Sequence, residues 1–275
     1  MVTFNPDMQR LRENVTAVLR EVDHVFIVDN ASTNGESIQS LAEEHQGIRV
    51  YVNPVNLGIA KALNQIFEAA MEQDTGWVLL LDQDSVCSAG MVDILASKIA
   101  PGICVVAPSI VDRSDTKAHP TPSDNCDVNY CITSGSLSEV NAWRSVGGYD
   151  ESMFIDFVDF DYCLRLRAQG LRIMRAPEAH LLHEIGKITR HGPFIAYNHS
   201  ATRSYHMARD MLYYAYKHRR ARTDLKVQSR GLAATYLVLI RKALIVAVFE
   251  EDRLRRVSAL VRGMVSGTFL RRHVA

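Results

Sequence analysis

Three apolar runs in the first third of the chain each end in aspartate or asparagine. The runs are VFIVDN, IRVYVN and WVLLLDQDS, and the polar residues that close them are Asp29, Asn30, Asn53, Asp82 and Asp84. Continuous apolar runs of this length are typical of strands buried on both faces of a sheet. Ligands of open α/β sheets lie beyond the carboxyl ends of the strands. The pattern therefore predicts a binding edge where these polar side chains meet.

Amphipathic helices are predicted between these strands. MQRLRENVTAVLREV has apolar residues at helical spacing, and so does NLGIAKALNQIFEAAMEQ, which we expect Asn56 to cap. A fourth apolar run, ICVVAP, follows, and LRIMRAPEAHLLH predicts a final pair of strands. Alternating strands and helices predict an α/β fold with a mostly parallel, doubly wound sheet.

The net charge of the 275 residues is zero, but the charges are unevenly distributed. Residues 203–275 hold 16 Lys and Arg against five Asp and Glu, about +11, so residues 1–202 carry about −11. We expect a main domain at 1–202 and a basic helical segment at 203–275. Such a segment suits an anionic membrane surface or a homodimer interface. Nucleic acid is not expected as a partner, because no nucleic-acid-binding motif is present.

Cysteine usage and hydropathy indicate the compartment. Five cysteines without a CxxC pair favour a reducing cytoplasm. We predict no signal peptide and no transmembrane span, because Arg241 and Lys242 interrupt the most apolar late stretch, LAATYLVLIRKALIVAVF. The expected location is the cytoplasm, with peripheral contact to the inner face of the cell membrane. Tyrosines at the start of the basic segment would take part: Tyr205, Tyr213, Tyr214 and Tyr216.

Acidic residues supply the candidate metal ligands and bases. Asp82 and Asp84, at i and i+2 after a buried strand, can share one hard cation with a diphosphate. A DxD in isolation is more often a pair of solvated loop acids. In FIDFVDFDYCLRLR, Asp156 and Asp159 have apolar neighbours, which raise a carboxyl pKa and suit a general base. The alternative is the ordinary enrichment of acids at a helix start.

Other residues in the same stretches predict structural contacts or phosphate contacts. Asp161 and Arg165 have the spacing of a structural helical ion pair. Gly58 favours close approach of a phosphate to a helix start, and Lys61 could add a positive charge. Arg203 and Arg209 could bind phosphates. The alternatives are a capped surface helix and a solvated basic helix.

Taken together, these motifs resemble the inverting family-2 glycosyltransferases, and within them the bacterial rhamnosyltransferases. The matching pieces appear in the family's order: VTFNP, VFIVDNAS, NLGIAKALN, LLLDQDS, SGSLSEVNAWRSVGGYDESMFIDFVDFDYCLRLRAQG, HEIGK and RSYHMARD. The resemblance implies a GT-A nucleotide-diphospho-sugar transferase fold and a Mg²⁺ or Mn²⁺ ion. It also implies a dTDP-L-rhamnose donor and a glycan or lipid-linked acceptor in O-antigen-type surface polysaccharide, as in lipopolysaccharide.

The resemblance also assigns roles to individual residues. On the donor side, Asp29 would meet the nucleobase in a pocket lined by Thr3, and Asp82 would lie near the ribose. Asp84 would ligate the metal, and His183 and Arg203 would contact metal or diphosphate.

Asp159 matches the second acid of the family's Glu-Asp base motif, whose Glu is replaced here by Val158, and Asp156 is the alternative base. Two features depart from the family. Few apolar residues precede VTFNP, and Asp210 stands where the subgroup tends to have Asn, which would bring an acid close to an anionic ligand.

The sequence leaves other functions open. A UDP donor, such as UDP-galactofuranose, would suit the same fold, because Asp29 can accept a hydrogen bond from the imide of either base. A catalytically silent nucleotide-sugar-binding protein is the alternative from another class. The acids between Asp156 and Asp161 argue against it, because a mere binder needs no base.

Overall fold

The computed structural model describes residues 1–113, 126–183, 189–191, 194–196, 198–221 and 231–270. The strands of these residues, in chain order, are β1 (Val2–Thr3), β2 (Val25–Asp29), β3 (Ile48–Val52), β4 (Trp77–Leu79), β5 (Val86–Cys87), β6 (Ile103–Asp112), β7 (Cys126–Val128), β8 (Leu137–Glu139), β9 (Arg172–His183), β10 (Thr189–His191) and β11 (Phe194–Ala196). The helices are α1 (Met8–Val18), α2 (Gly35–Glu43), α3 (Ile59–Glu72), α4 (Met91–Ser97), α5 (Val140–Ser145), α6 (Val158–Ala168), α7 (Ala201–Lys217), α8 (Leu232–Phe249) and α9 (Arg253–Leu270).

The N-terminal half contains the predicted parallel strands. Their order is β1-β2-β3, with Thr3 opposite Asp29 and Asp29 opposite Val52. A parallel bridge from Val2 to Asp82 links β1 to the chain that follows β4. The carboxyl ends of these strands therefore meet at one edge, as the sequence predicted.

The second sheet is mixed. Its order is β4-β8-β6-β9-β5, with β7 also paired to β9. β6 and β9 run parallel, whereas β8 is antiparallel to both β4 and β6. The α/β fold class is confirmed, but the alternating pattern of strands and helices did not reveal these antiparallel additions. A short strand such as β8 carries too few residues to indicate its direction.

The prediction of a final strand pair is wrong, because LRIMRAPEAHLLH forms the single strand β9. Its pairing with β6 shifts register after Pro108, so that Pro108 lies opposite Ala176 and Ser109 lies opposite His180. Pro177 has no backbone N–H to donate, and an irregularity of this kind accommodates it without ending the strand.

Helices cover both faces of the sheets and bury the predicted apolar residues. α1 buries Leu11, Val15 and Val18, and α3 buries Ile66 and Phe67. The ring of Phe67 stacks on Trp143 of α5, with 5.1 Å between the ring centroids. This packing fixes α3, and with it the turn at its amino end, against the second sheet.

α7 packs on both parts of the chain. Tyr213 and Tyr214 are buried in the core shared with α3 and α6, and on its other side α7 packs against α9. A Cβ added at Gly263 of α9 would lie 2.2 Å from the Tyr205 carbonyl oxygen, so only glycine permits this approach. The predicted domain boundary between residues 202 and 203 remains a prediction, because α7 contacts both the preceding and the following parts of the chain.

α8 contains the apolar stretch for which the sequence predicts no transmembrane span. Among the described residues it is the one helix long and apolar enough to cross a membrane by length and composition, and little of it is buried. Lys242 interrupts it and packs inward, with Nζ 2.9 Å from Sδ of Met207. Two of the four tyrosines expected at the membrane turn inward as well. Tyr214 is buried, and the hydroxyl of Tyr213 donates to Asp150.

Asp161 ties α6 to α7, and its predicted pairing with Arg165 is confirmed at 2.7 Å. The fully buried carboxylate also contacts Nζ of Lys217 at 2.6 Å and Nε2 of His218 at 2.7 Å. Burial alone would raise the pKa of Asp161. The hydrogen bond to His218 and the charges of Arg165 and Lys217 outweigh burial and hold the pKa below its ordinary value.

Asp161→Ala is expected to lower the free energy of unfolding by about 3 kcal/mol, because it leaves buried cations without their counter-charge. Denaturant titration would measure this loss. Asp127→Ala is the control: its ion pair with Arg172 is exposed and contributes less than about 1 kcal/mol. Because the folded-state pKa of Asp161 is depressed, its contribution is present above about pH 4 and declines as the pH falls further. Equal losses for the two variants would contradict this role.

Candidate active site

A cavity of about 890 Å³ opens at the carboxyl edge of the strands. Its walls come from the turns after β1, β2 and β4, from the start of α3, from the residues before α6, and from the start of α7. Most of the predicted site residues line it: Thr3, Asn30, Asn56, Gly58, Asp82, Asp84, Asp156, Asp159, His183 and Arg203.

Asp29 lies behind the cavity wall. Its Oδ1 accepts from the hydroxyl of Thr3 at 2.8 Å, and its Oδ2 accepts from the backbone N–H of Ser32 at 2.9 Å. The side chain is buried and orients Thr3, which does line the cavity. Direct contact between Asp29 and a nucleobase stays a prediction.

The amide side chains at the strand ends form a buried network. Asn53 Nδ2 donates to Asn30 Oδ1 at 2.9 Å, and Asn30 Nδ2 donates to the Gly58 carbonyl oxygen at 3.2 Å. Gln65 of α3 exchanges hydrogen bonds with Asn53. The network ties the ends of β2 and β3 to the start of α3, which explains why two of these strands end in Asn.

The residue before α3 is Gly58, so the prediction of Asn56 as its N-cap is wrong. Asn56 Oδ1 instead accepts from the Gly58 backbone N–H at 2.9 Å. Gly58 has φ +86°, and an added Cβ would lie 2.6 Å from the Phe154 carbonyl oxygen. Glycine is therefore required here for contact with the chain before α6, whatever ligand binds.

Two predicted phosphate contacts do not reach the cavity. Lys61 Nζ lies 3.1 Å from the carboxylate of Glu151. The Arg209 guanidinium pairs with Asp210 and donates to the Ser152 carbonyl oxygen at 3.0 Å. Neither Lys61 nor Arg209 is among the residues that line the cavity. Their positive charges pair with nearby carboxylates of the protein and do not face the cavity.

Asp82, Asp84 and His183 form a group that could hold a metal ion. One ligand atom from each lies within 4.8 Å of the other two, and His183 Nδ1 is 3.9 Å from Asp84 Oδ1. Two carboxylates and one imidazole form a donor set that suits Mn²⁺ or Mg²⁺. Burial and the neighbouring Asp84 raise the pKa of Asp82, whereas His183 opposes this shift. A cation would relieve the repulsion between the two acids.

Two serines behind this group escaped the sequence analysis. Ser85 Oγ lies 2.9 Å from His183 Nδ1 and 2.7 Å from Ser134 Oγ, which accepts from the Asp82 backbone N–H at 3.0 Å. The pair of hydroxyls fixes His183 relative to Asp82. Ser85 follows DQD directly and offered a sequence signal, whereas Ser134 lies in a run of small residues that offered none.

Asp156 and Asp159 line the same cavity, Asp156 from the chain before α6 and Asp159 from its first turn. Between them Phe157 adopts φ +67°, so the chain turns sharply before α6 begins. Burial raises the pKa of Asp159 to about 7, and the nearby Asp156 adds to this shift. Asp156 Oδ1 lies 3.5 Å from Arg203, and its Oδ2 has no hydrogen-bond partner among the described residues. Burial raises the pKa of Asp156 as well, against the charges of Arg203 and Lys242.

His199 also lines the cavity and was missed, because no spacing or charge pattern marks the short loop before α7. Burial lowers its pKa to about 3, and the positive charges of Lys242, Arg203 and Arg256 contribute. The imidazole is therefore neutral at pH 7. The cavity thus combines a polar amide wall, a candidate cation site and a carboxyl group that titrates near neutrality, an arrangement suited to moving a proton beside a bound anion.

Residues 1–157 match the family described as "Glycosyl transferase family 2". The dTDP-rhamnosyl transferase RfbF of Shigella flexneri is 27% identical over 205 residues, which cover 68% of each protein. A pre-mycofactocin glycosyltransferase of Mycobacterium tuberculosis is 27% identical over 199 residues, 63% of this chain and 41% of that protein.

Solved structures of the same fold are more distant in sequence. The mannosyltransferase PcManGT from Pyrobaculum calidifontis, in complex with GDP-Man and Mn²⁺, superposes with a TM-score of 0.60 at 12% identity, covering 98% of this chain and 85% of that one. TarS 1–349 of S. aureus gives 0.59 at 11% identity, with coverage of 100% and 81%. These likenesses confirm the GT-A fold, and the family match covers more than half of the chain. The chain is a glycosyltransferase and belongs to glycosyl transferase family 2.

Proposed function

We propose that this protein is an inverting glycosyltransferase that transfers L-rhamnose from dTDP-L-rhamnose to a glycan or lipid-linked acceptor in surface polysaccharide synthesis. One observation carries the mechanism: a candidate cation site and a carboxyl group with a pKa of about 7 line the same cavity. Similarity to the dTDP-rhamnosyl transferase supports the choice of sugar.

The donor binds with its nucleoside beside Thr3 and Asn30 in this proposal. Asn56 and the backbone at Gly58 line the cavity with them, and these four residues are called the donor wall. A divalent cation, Mg²⁺ or Mn²⁺, held by Asp82, Asp84 and His183 would neutralise the charge that develops on the leaving diphosphate. The guanidinium of Arg203 adds a fixed positive charge to the cavity.

Asp159 acts as the general base. Its carboxylate takes the proton of an acceptor hydroxyl while that oxygen bonds to the anomeric carbon of the sugar. The bond between that carbon and the diphosphate oxygen breaks, and the electron pair leaves with the nucleoside diphosphate. One displacement inverts the configuration at the anomeric carbon. A base with a pKa near the working pH is about half deprotonated and still basic enough to take the proton.

The donor experiment tests the function. Calorimetric titration with dTDP-L-rhamnose, UDP-galactose and UDP-galactofuranose, each with Mn²⁺ or EDTA, is expected to give metal-dependent binding of the dTDP donor alone. Asp84→Ala should weaken that binding by at least about tenfold, because it removes a cation ligand. Asp93→Ala, an exposed acid of α4, is the control. Preference for a UDP donor would overturn the sugar, and binding of no donor would overturn the function.

Asp159→Asn is expected to lower kcat by at least about 100-fold and to leave the donor Kd unchanged, because the amide keeps the shape but cannot accept the proton. In the wild type, kcat should rise with pH through about 7 and level off above it, since the base acts deprotonated. Asp156→Asn is the matched comparison. Asp156 would be the base if Asp156→Asn abolished transfer and Asp159→Asn did not.

Contact with the inner face of the cell membrane is proposed through α8 and α9 rather than through the tyrosines of α7. Large apolar side chains are exposed in one stripe on each helix: Leu237, Ile240, Leu244 and Val248 on α8, and Leu254, Val261, Val265 and Phe269 on α9. The basic side chains of Arg241, Arg255 and Arg262 are exposed beside them. Because Arg241 and Lys242 interrupt α8, it suits the membrane surface better than a span.

Flotation with phosphatidylcholine vesicles containing phosphatidylglycerol tests this contact. The wild type should float with them at low salt and less at high salt, because apolar burial and charge both contribute. The double variant Leu244→Glu/Val248→Glu should lose flotation, whereas Val52→Glu, an exposed valine of β3, should not. A wild type that does not float, yet forms a dimer that the double variant breaks, would make this face a homodimer interface instead.

A further inference from the structure

The turn that precedes the candidate base depends on contacts from outside its own segment. Residues 152–157, here called the acid turn, lead directly into α6. Three of them line the cavity: Phe154, Ile155 and Asp156. They belong to no strand or helix. The position of Asp159 depends on where this turn ends, because α6 begins directly after it.

Asp210 of α7 holds the acid turn by its backbone. Its Oδ2 accepts from the N–H of Phe154 at 2.9 Å and from the N–H of Ile155 at 3.2 Å. Its Oδ1 accepts from Arg209 Nε at 2.8 Å. The carboxylate therefore faces the protein backbone, and the expectation that it lies close to an anionic ligand is not met. Asp210 is not among the residues that line the cavity.

The other side of Phe154 is held equally closely. Its carbonyl oxygen accepts from the Ile59 backbone N–H at 2.6 Å, at the start of α3. The ring of Phe154 stacks on His206 of α7, with the ring centroids 3.8 Å apart and the planes 15° apart. One residue of the acid turn is thus fixed between the helix that borders the donor wall and the helix that carries Asp210.

The carboxylate of Asp210 is fully buried, which is costly for a charged group. Burial raises its pKa to about 6. Two backbone donors and one guanidinium compensate, and hydrogen bonds to a charged acceptor are about twice as strong as neutral ones. An apolar residue in place of Asp210 would avoid the desolvation cost of a buried charge. It would, however, leave the backbone N–H groups of Phe154 and Ile155 without a hydrogen-bond acceptor.

We propose that Asp210 is a positioning residue: through the backbone N–H groups of Phe154 and Ile155, it sets the acid turn so that Asp159 faces the donor wall. The inference rests on the proposed function, in which Asp159 is the base. Catalysis tolerates little displacement, since a shift of about 1 Å can lower a rate by about 100-fold. Asp210 contacts Phe154, Ile155 and Arg209 and none of the described residues proposed to bind the donor, so the donor Kd should be insensitive to it.

Asp210→Ala is expected to lower kcat by about 10- to 100-fold and to change the donor Kd by less than about twofold. Asp210→Asn should restore most of kcat, because its amide oxygen can accept from the same two N–H groups. Asp210→Glu keeps the charge but moves the carboxylate by one methylene, so it should lower kcat even if the Ala variant does not fold. Steady-state kinetics and calorimetry give the two constants.

Asp161→Asn is the matched control. It weakens another buried carboxylate contact between α6 and α7, but its partners are Arg165, Lys217 and His218 rather than the acid turn. When compared at equal folded fraction, it should retain wild-type kcat. The positioning role would be overturned if Asp210→Ala kept wild-type kcat, or if Asn failed as completely as Ala.

Hydrogen exchange separates this inference from the proposed function. The amides of a peptide covering residues 152–157 should exchange faster in Asp210→Ala than in the wild type, whether or not any sugar is transferred. If the wild type transfers nothing, the proposed function fails and exchange alone decides whether Asp210 holds the turn. Unchanged exchange in that peptide would overturn the inference.

Discussion

The parallel contact between Val2 and Asp82 joins the two sheets, and the candidate active site depends on it. Without it, the polar ends of β1 and β2 would belong to one sheet and the acids after β4 to another. With it, Thr3, Asn30 and Asp82 lie along one edge and border the same cavity. Because strands that run parallel end on the same side, this bridge helps to bring these distant residues together.

Buried carboxylates attach the C-terminal helices to this frame. Asp161 contacts Lys217 and His218 at the end of α7, and Asp210 reaches from α7 to the acid turn. α7 therefore contributes more to the site than its basic character indicated, since it supplies Arg203 and also holds the turn that precedes Asp159. α8 and α9 pack against α7 and expose apolar side chains, so α7 lies between the cavity and the surface proposed for the membrane.

Prediction from sequence succeeded where a local pattern carries the information. An apolar run that ends in DQD identifies a strand and its polar edge, although β4 itself is half-buried and only Leu80 and Leu81 beyond it are buried. Spacing of i,i+4 identifies Asp161 and Arg165 as partners. Prediction from sequence failed where a residue distant in the chain determines which contact a side chain makes. Lys61 at a helix start is a reasonable phosphate ligand until Glu151, far along the chain, pairs with it. The tyrosines of α7 are plausible membrane contacts until the core buries Tyr213 and Tyr214.

The sequence by itself determined the α/β class, the strand ends that border the candidate site, and the acids that line it, because each follows from the period of apolar residues and the residues that interrupt it. Only the tertiary structure decided which of them meet. Pairing of Val86 with Leu182 brings His183 beside Asp84, and the serines that fix it come from separate turns. Such contacts depend on sheet register, and register is set by packing across the whole domain rather than by any local run of residues.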